Sequence, residues 1–545
     1  MVSSEYKEKP KERVIRQLLE ALVYEELCDW RVVGAAKDRL HIELVLGELK
    51  LHAMARVNAY DRVFIEHGSI NKTDGSIPDL LDLVHNIDAE SDYLDVLAKE
   101  LVLTLHFCEW NLGKVRSLPS RRGLQYRLLE NLIDEGHPYH PCFKSRLGFS
   151  VEDHQLYSPE MEGRFQLDEI EVCRSIIKGD IGDEETVKIP VHPWQWQQLV
   201  HHPEVQDLLA KQRVVHLGKS SQFYSASQSL RTLIPVDDVY GAHVKLPMQL
   251  VNTSSVRTLD EVSVLAAETI STWLERIVES DVYLKSSGVQ ILKEYGGVML
   301  SVEGSELLDQ LGVLYRDSPH QRFSRKLSIV PANALAVYEE DGRPYIDLWI
   351  QKYGLEKWVR QWIEVAVLPQ WHLLMGYAVG SEWHGQNTLL ALDSGFPVAV
   401  ALRDFHDGVE YVEELLPEGV AGPDFSHLGQ DEVAAEAHYR VDNFESVKDL
   451  VIECLFIYNL SEVVRLLVDY YGMVEGEFWG WVKESIEAHH RKYPELDRLY
   501  SEHLESMEWI KVESLLKSKL KGKPKDGFHY HLVKNPIQIE SYVCS

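Results

Sequence analysis

Residues 224–259 place three permanent cations, Arg231, Lys245 and Arg257, in a run that otherwise predicts two strands and a turn. In the segment HVKLPMQLV, apolar and polar residues alternate, which predicts a strand with one buried face and with Lys245 on its polar face. Arg257 precedes Asp260, where a helical pattern begins, so we expect it near a helix N-terminus, which favours anions. Cations gathered in a small volume repel one another unless an anion joins them. The alternative is that all three are solvated and paired with surface carboxylates.

The charge balance of the chain argues against polyanionic partners. Its 545 residues include 56 Lys and Arg against 86 Asp and Glu, a formal net charge of −30. Such a surface disfavours nucleic acid and anionic membranes and attracts cationic partners such as polyamines. An acidic protein that gathers cations in one stretch is therefore expected to hold a specific anion there.

The length of the chain predicts several lobes, because it exceeds what one ordinary core supports. Hydrophobic residues make up 45% and charged residues 26%, as in soluble globular proteins. We predict an N-terminal lobe over 1–130, a second lobe over 131–310 and a third over 311–545. The third should contain a long helix, a strand hairpin and a mostly helical tail in which residues 510–521 form a basic-tipped helix.

The cysteines and the N-terminus indicate a cytoplasmic protein. Six cysteines are scattered without CxxC or metal spacing, which is typical of reduced thiols. The N-terminal segment is charged and lacks the apolar core of a secretion signal. No apolar run approaches the length that spans a membrane.

A proline-stiffened loop opens the second predicted lobe, in the segment EGHPYHPCFKSRLGFS. It holds two imidazoles, His137 and His140, and two cations, Lys144 and Arg146, at short spacing. Because prolines restrict the chain, these side chains are presented with little freedom, which favours contact with phosphate. A purely structural loop is an equal alternative.

The segment SEWHGQN carries the second group of candidate residues. Glu382, His384 and Asn387 precede Arg403 and Asp404 by one predicted hairpin. A carboxylate and an amide in a loop at a strand end, followed by an aspartate, suit Mg2+ beside phosphates. A surface hairpin with incidental polar residues is the simpler alternative. A zinc or non-haem iron site that uses His384, His406 and a carboxylate has little support from the spacing.

Two classes of enzyme fit these residues. A small-molecule kinase would use Glu382, Asn387 and Asp404, but the N-terminal half lacks a glycine-rich phosphate loop before a lysine-bearing strand. A ligase that activates a polycarboxylate with ATP must hold a triphosphate and a multiply charged acid together, which requires many cations. The number of cations favours the ligase. A non-catalytic binding protein for citrate or a siderophore would have no use for the three metal-binding candidates.

Eight motifs in order over residues 135–405 resemble one known family. They are GHPYHPxxKxRxG, YSPE, HPWQW, SLRT, KL, TSSVRTL, EWHGQN and RD. Together they resemble the siderophore synthetases that act independently of nonribosomal peptide synthetases, of the aerobactin-synthetase type. The resemblance implies an α+β, cupped-hand fold with thumb, fingers and palm, and antiparallel sheets flanked by helices. It also implies ATP-dependent adenylation of citrate or a citryl derivative, followed by condensation with an amine, hydroxylamine or alcohol.

The resemblance further implies residue roles, with ATP and Mg2+ as cofactors and a homodimer as the assembly. The polycarboxylate would contact Thr253, Arg257 and His384, and Mg2+ would be held by Glu382, Asn387 and Asp404. ATP would be bound by Ser229, Arg231, Thr232, Lys245, Asn387, Arg403 and Asp404 and by His137 or His140, Lys144 and Arg146. Catalysis would depend on Arg231, Lys245, Arg257 and His384.

Overall fold

The computed structural model of the protein describes residues 8–36, 39–114, 120–180, 182, 184–253, 255–302, 304–505, 507–522, 524 and 527–537. Helices flank sheets that are antiparallel apart from one parallel strand pair. This arrangement confirms the α+β fold class.

The N-terminal region packs one helix against a five-stranded sheet. Helix α1 (Pro10–Tyr24) begins at a proline, which costs nothing in the first helical turn, and buries an apolar face. The sheet follows as a meander, as the period-two pattern of the sequence predicts. Its strands are β1 (Asp29–Ala36), β2 (Arg39–Leu46), β3 (Leu49–Val57), β4 (Val63–Ile65) and β5 (Asn71–Lys72). Gly47 turns the chain between β2 and β3 at φ 54°, where a Cβ would lie 2.7 Å from Asn86.

An eight-stranded sheet forms the centre of the molecule and carries Lys245. Its strands are β6 (Phe165–Cys173), β7 (Ile177–Gly179), β8 (Thr186–Val191), β9 (Val214–Ala226), β10 (Thr232–Pro235), β11 (His243–Lys245), β15 (Glu294–Leu300) and β16 (Gly312–Arg316), in the spatial order β7, β15, β16, β11, β10, β9, β6, β8. Two short strands, β12 (Val251–Asn252) and β13 (Ser255–Val256), pair with each other beside it. Helix α8 (Glu261–Ser280) packs on β15, and its N-terminus is capped by Asp260, where the sequence predicts a helix start.

A smaller sheet follows and presents the predicted hairpin. Its spatial order is β14 (Gln290–Ile291), β20 (Phe396–Leu402), β19 (Thr388–Asp393) and β17 (Ser328–Pro331). The separate pairs are β18 (Val379–Ser381) with β21 (Val409–Tyr411) and β22 (Trp509–Glu513) with β23 (Tyr530–Lys534). The loop SEWHGQN leads from β18 into β19, and the RD pair follows β20, so the hairpin brings the two motifs to one edge.

The remaining helices pack around these sheets. They are α2 (Leu80–His85), α3 (Ser91–Lys114), α4 (Tyr126–Leu132), α5 (Val151–Tyr157), α6 (Pro193–Leu199), α7 (Pro203–Ala210), α9 (Val282–Ser287), α10 (Pro319–Arg322), α11 (Asp347–Tyr353), α12 (Leu355–Trp362), α13 (Leu368–Tyr377), α14 (Glu432–Tyr439), α15 (Phe444–Val451), α16 (Ser461–Tyr471), α17 (Glu475–Lys492), α18 (Asp497–His503) and α19 (Leu515–Lys521). Two π-helical segments, Ile363–Val367 and Ile452–Leu460, join α12 to α13 and α15 to α16. Over the described residues, none of the helices combines the length and apolarity needed to span a bilayer.

The structure corrects three details of the sequence interpretation. Residues 510–521 are not one helix, because the first four complete β22, which pairs with β23, and only α19 is helical. Strand β11 is buried along its whole length, so Lys245 does not project from an exposed polar face. The three-lobe division stays a prediction, although β16, which lies beyond residue 310, pairs with β11 and β15 of the central sheet.

Candidate active site

Lys245 lies at the centre of a buried cluster of charged side chains. Its ammonium contacts the carboxylate of Asp404 and lies 3.1 Å from Nδ1 of His406. Burial lowers the pKa of Lys245, and Asp404 opposes that shift. Thr232 is directly opposite Lys245 in the antiparallel pair of β10 and β11, so both side chains lie on one sheet face. The Thr232 hydroxyl has no hydrogen-bond partner among the described residues.

Arg231 and Arg257 lie near Lys245 and repel each other. The pKa of Arg257 is lowered to about 10, first by burial and then by the charge of Arg231. One Nη of Arg257 donates to the carbonyl of Asn252 at 3.0 Å, and its buried Nε has no hydrogen-bond partner among the described residues. The guanidinium of Arg231 donates to the carbonyl of Thr258 and lies 3.9 Å from Asp407. Within the part of the chain that the structure describes, neither arginine has a carboxylate as close as the one that contacts Lys245.

The turn that carries Asp404 is held from both sides by buried carboxylates. Arg403 forms a 2.7 Å ion pair with Glu130, which is fully buried. One carboxylate oxygen of Glu294 accepts from the amides of Phe405 and His406 at 3.0 and 2.9 Å.

Asp404 itself has φ 75°, in the left-handed region that costs a residue with a Cβ about 1–3 kcal/mol. Leu230 and Thr253, with φ 67° and 63°, share this conformation. Strained backbone therefore recurs at the edges of the cationic cluster and is kept in place by its neighbours.

His384 and Glu382 lie on the open side of the cluster. Nδ1 of His384 accepts from the amide of Gln386 at 3.3 Å, and its Nε2 lies 4.0 Å from Glu382. Burial, with further contributions from Arg403 and Arg257, lowers the pKa of His384 to about 4. The pKa of Glu382 is raised to about 7, first by removal from water and then by Asp404.

Other predicted residues frame the same cluster. Asn387 is 4% exposed, and its carbonyl accepts from the amide of Arg403 at 3.1 Å. The Ser229 hydroxyl accepts a hydrogen bond from the amide of Thr232 at 3.2 Å. It also lies 3.2 Å from the hydroxyl of Ser227. Thr253 is buried beside Asn252, whose amide donates to its hydroxyl at 3.3 Å.

Lys144 and Arg146 belong to a different cluster. Both pair with the buried Glu160 of YSPE, Lys144 at 3.0 Å and Arg146 through two bonds of 2.8 and 2.9 Å. Arg146 also donates to Ser158 at 2.6 Å and lies 2.9 Å from Nδ1 of His154. The prediction that these cations grip a triphosphate fits this arrangement poorly, because both are already paired with the Glu160 carboxylate inside the protein.

The two histidines of the proline-stiffened loop face different surroundings. His140 has no exposed surface, and burial, followed by the charge of Lys519, lowers its pKa well below the usual range. The pKa of His137 is lowered to about 3, first by burial and then by the charges of His384, Arg62 and Arg257. His137 is therefore the histidine beside the cationic cluster. The sequence does not decide whether His137 or His140 contacts ATP, and this position makes His137 the better candidate.

A metal ion has two candidate sets of ligands here. The sequence predicts Glu382, Asn387 and Asp404, and the pKa of Glu382 is raised first by burial and then by the negative charge of Asp404. The structure adds Glu294 and His406, whose ligand atoms lie within 4.8 Å of each other and of an Asp404 oxygen. Lys245 already contributes a positive charge to that second set. Glu294 and Glu130 were missed by sequence reasoning, since neither lies in a motif of the resemblance.

Comparison with known proteins decides the family. The model of the IucA / IucC family matches residues 125–337, and a model described as ferric iron reductase FhuF-like transporter matches residues 356–525. A citryl-spermidine/3,4-dihydroxybenzoyl-citryl-spermidine:spermidine ligase of Bacillus anthracis is 31% identical over 92% of this chain and 92% of its own length. The chain belongs to the IucA/IucC family of siderophore synthetases. The family assignment from the eight motifs is confirmed, and the protein is an ATP-dependent ligase of siderophore biosynthesis.

Other members of the IucA/IucC family extend the likeness. A 2-[(L-alanin-3-ylcarbamoyl)methyl]-3-(2-aminoethylcarbamoyl)-2-hydroxypropanoate synthase of Staphylococcus aureus is 28% identical over 97% of this chain and 93% of its own. The crystal structure of the petrobactin biosynthesis protein AsbB from Bacillus anthracis superposes with a TM-score of 0.89 at 30% identity, covering 97% of this chain and 95% of that one. The structure of the aerobactin synthetase IucC of Klebsiella pneumoniae superposes with a TM-score of 0.82 at 23% identity. The match covers 97% of this chain and 98% of that one and shows the shared fold.

Proposed function

We propose that the cleft at Arg231, Lys245 and Arg257 adenylates a carboxylate of citrate or a citryl derivative and transfers the acyl group to an amine. The observation that carries this proposal is the pair of repelling arginines beside Lys245. A protein holds such charges together at a cost unless a polyanion joins them during function. A triphosphate and a tricarboxylate are two such anions.

The first step joins the carboxylate to the α-phosphorus of ATP. An oxygen of the acid attacks phosphorus, the bond to the bridging oxygen breaks, and pyrophosphate leaves with its electron pair. We assign Arg257, Thr253 and His384 to the acid, and Arg231, Lys245, Thr232 and Ser229 to the triphosphate. Permanent cations in a site shielded from water stabilise the charge that develops at phosphorus and on the leaving group.

Mg2+ fits the oxygen-rich side of this cleft. Glu382, Asn387 and Asp404 would hold it, since hard oxygen ligands suit this ion and the mutual repulsion of the two carboxylates would be relieved. When bound, the ion would neutralise charge on the phosphates. Lys245, which contacts Asp404, would add its own positive charge beside the phosphates.

The second step transfers the acyl group. The nitrogen lone pair of a neutral amine attacks the acyl carbon, and the bond from carbon to the phosphate oxygen breaks. AMP leaves with the electron pair of that bond, and the nitrogen loses its proton to water. No nucleophilic side chain is required, because the mixed anhydride is itself activated. Relatives named for citryl and spermidine substrates support an acid and an amine of this kind.

The products of one turnover test the proposal. With ATP, citrate and a panel of amines we expect equimolar AMP, pyrophosphate and amide. ADP with phosphorylated citrate would instead identify a kinase. Binding of citrate with no nucleotide turnover for any amine would identify a binding protein.

A further inference from the structure

Helix α4 carries a buried carboxylate, Glu130, that lies outside the eight motifs. Its two oxygens contact different partners. One forms the 2.7 Å ion pair with Arg403, and the other accepts a hydrogen bond from the side-chain amide of Gln228 at 3.1 Å. Arg403 directly precedes Asp404, and Gln228 directly precedes Ser229. A single carboxylate therefore joins two turns that lie far apart in the chain.

The turn of Asp404 is fixed to this carboxylate through Arg403. Tyr126 lies one helical turn before Glu130, so both face Arg403, and the Tyr126 hydroxyl accepts a hydrogen bond from its guanidinium. Nε and one Nη of Arg403 donate to the carbonyl of Gln386 at 3.0 and 2.6 Å. Because the donors of a guanidinium form a rigid, planar fork, these partners together fix its orientation. Helix α4, the Asp404 turn and the loop at Gln386 are therefore held as one unit.

The turn between β9 and β10 is fixed to the same helix. Asn131 donates to the carbonyl of Ala226, at the end of β9, at 2.7 Å. Gln228 follows within the turn and donates to Glu130 through its side chain. The triphosphate-binding candidates of this turn come directly after Gln228, so their positions depend on its attachment to α4.

Asn333 forms a second connection between the two turns. Its side-chain amide donates to the side-chain oxygen of Gln228, and its backbone amide donates to the carbonyl of Gly385 at 3.0 Å. Gly385 precedes Gln386 in the loop that Arg403 holds. A Cβ at Gly385 would lie 2.9 Å from the backbone nitrogen of Asn333, so this close approach requires glycine. Both ends of the Gln228 amide therefore join the turns.

The separation of the two turns matters for a nucleotide that is bound with a metal ion. In the proposed function, one turn contacts the triphosphate through Ser229 and Arg231, and the other holds Mg2+ through Asp404. Mg2+ binds oxygen at about 2.0–2.1 Å in near-octahedral geometry, so it tolerates little displacement. The phosphates and the metal can both be held only if the turns keep a defined separation.

We propose that Glu130 and Gln228 are positioning residues that couple Mg2+ to the nucleotide, because they hold the metal-binding turn at a fixed separation from the triphosphate-binding turn. This inference rests on the proposed function and adds to it two residues that act through Arg403 and Ser229. Mg2+ tightens the binding of ATP only while the connection between Glu130 and Gln228 is intact.

The test measures how far Mg2+ tightens the binding of ATP. Calorimetry gives the Kd for ATP with Mg2+ and with EDTA, for the wild type, Gln228→Met and Glu130→Gln. Gln228→Met keeps the length of the side chain and removes its hydrogen bonds, whereas the ion pair of Glu130 stays. Gln351→Met on α11 is the matched control, because Gln351 also donates to a buried carboxylate, that of Asp347, at 2.7 Å.

We expect Gln228→Met to reduce the factor by which Mg2+ tightens ATP binding by about fivefold or more, and to change the Kd for metal-free ATP by less than about threefold. Glu130→Gln should reduce the factor at least as much, because Arg403 also loses its counter-charge. Gln351→Met should match the wild type. Equal weakening of ATP binding with and without Mg2+ in Gln228→Met, or an unchanged factor, would overturn the inference.

The same measurements separate this inference from the proposed function. If Glu130→Gln does not fold, Gln228→Met decides the inference alone. A wild type that binds ATP equally well with and without Mg2+ would overturn the coupling, whatever products it forms. A wild type that binds ATP with Mg2+ but forms no AMP with any amine would overturn the proposed function, and the calorimetric comparison of Gln228→Met with the wild type would still decide the coupling.

Discussion

Two groups of cations in this protein differ in what surrounds them. Lys144 and Arg146 share the carboxylate of Glu160, with bonds of 2.8–3.0 Å. Among the described residues, the carboxylate that pairs with Arg231 is that of Asp407 at 3.9 Å, and Arg257 has none within 4 Å. Burial, and then the charge of Arg231, lowers the pKa of Arg257. All four residues lie in the family motifs, and all except the half-buried Arg257 are buried, so we expect the presence of an internal counter-charge to distinguish a structural cation from one that binds a ligand.

Removal of Glu160 should have the largest effect and should be confined to stability. Glu160→Ala leaves Arg146 buried without a carboxylate and leaves Lys144 with only that of Asp134 at 4.0 Å, so the free energy of unfolding should fall by about 3–5 kcal/mol. Urea denaturation measures it, with Glu356→Ala as an exposed control that we expect to change it by about 0.5 kcal/mol or less. If both variants lost the same small amount of unfolding free energy, Glu160 would not be the counter-charge that distinguishes Lys144 and Arg146 from the other cations.

Removal of Arg257 should reduce activity and should not reduce stability. Arg257→Ala should lower kcat/KM for citrate by about 10²–10³-fold, as loss of one transition-state donor does. The melting temperature should stay or rise, because the repulsion with Arg231 disappears. Steady-state kinetics and thermal melting report the two effects, and the exposed Arg360→Ala serves as control. A variant that melts early and keeps its activity would place Arg257 with the structural cations.

Glu294 should act on the cleft through the turn that holds Asp404. Glu294→Ala removes the acceptor for the amides of Phe405 and His406, so we expect a loss of about 1–3 kcal/mol in unfolding free energy. The KM for ATP should also rise in this variant, because the turn that positions Asp404 loses these two hydrogen bonds. Glu294→Gln keeps an acceptor oxygen and should restore much of both. A KM for ATP that is unchanged in Glu294→Ala would show that the turn is held without this residue.

Two half-buried carboxylates, Glu410 and Asp449, extend the comparison to negative charge, with the smallest expected effect. The pKa values of Glu410 and Asp449 are raised to about 6 by burial, so the folded state binds more protons than the unfolded chain between about pH 4 and 6. Stability should therefore fall as the pH rises through this window, by on the order of 1 kcal/mol for each group. The double variant Glu410→Gln, Asp449→Asn should flatten the dependence of the melting temperature on pH. The same slope in both proteins would show that these carboxylates do not produce it.

The sequence predicts well what is local in this fold. The start of α8 after Asp260 and the hairpin of β19 and β20 follow from capping and alternation within a few residues. The sequence pattern wrongly predicts a helix at β22. This segment is a strand because it pairs with β23, which lies later in the chain.

In the candidate site, too, the sequence predicts local motifs but not contacts between residues that are distant along the chain. The residues of the cationic cluster carry recognisable motifs, and the structure brings Arg231, Lys245, Arg257, His384 and Asp404 together. The partner of each charge depends on the three-dimensional fold. Pairing with Glu160 separates Lys144 and Arg146 from the cluster, and Glu130 and Glu294 contribute from elements that contain no motif.

The account depends on one cleft that holds a nucleotide and a polycarboxylate together. Exchange of labelled pyrophosphate into ATP, measured without any amine, tests this most directly, because it requires both ligands and reversible adenylation. We predict exchange by the wild type that depends on citrate and is lost in Arg257→Ala. Exchange that needs no carboxylate, or that persists at the wild-type rate in Arg257→Ala, would contradict the account.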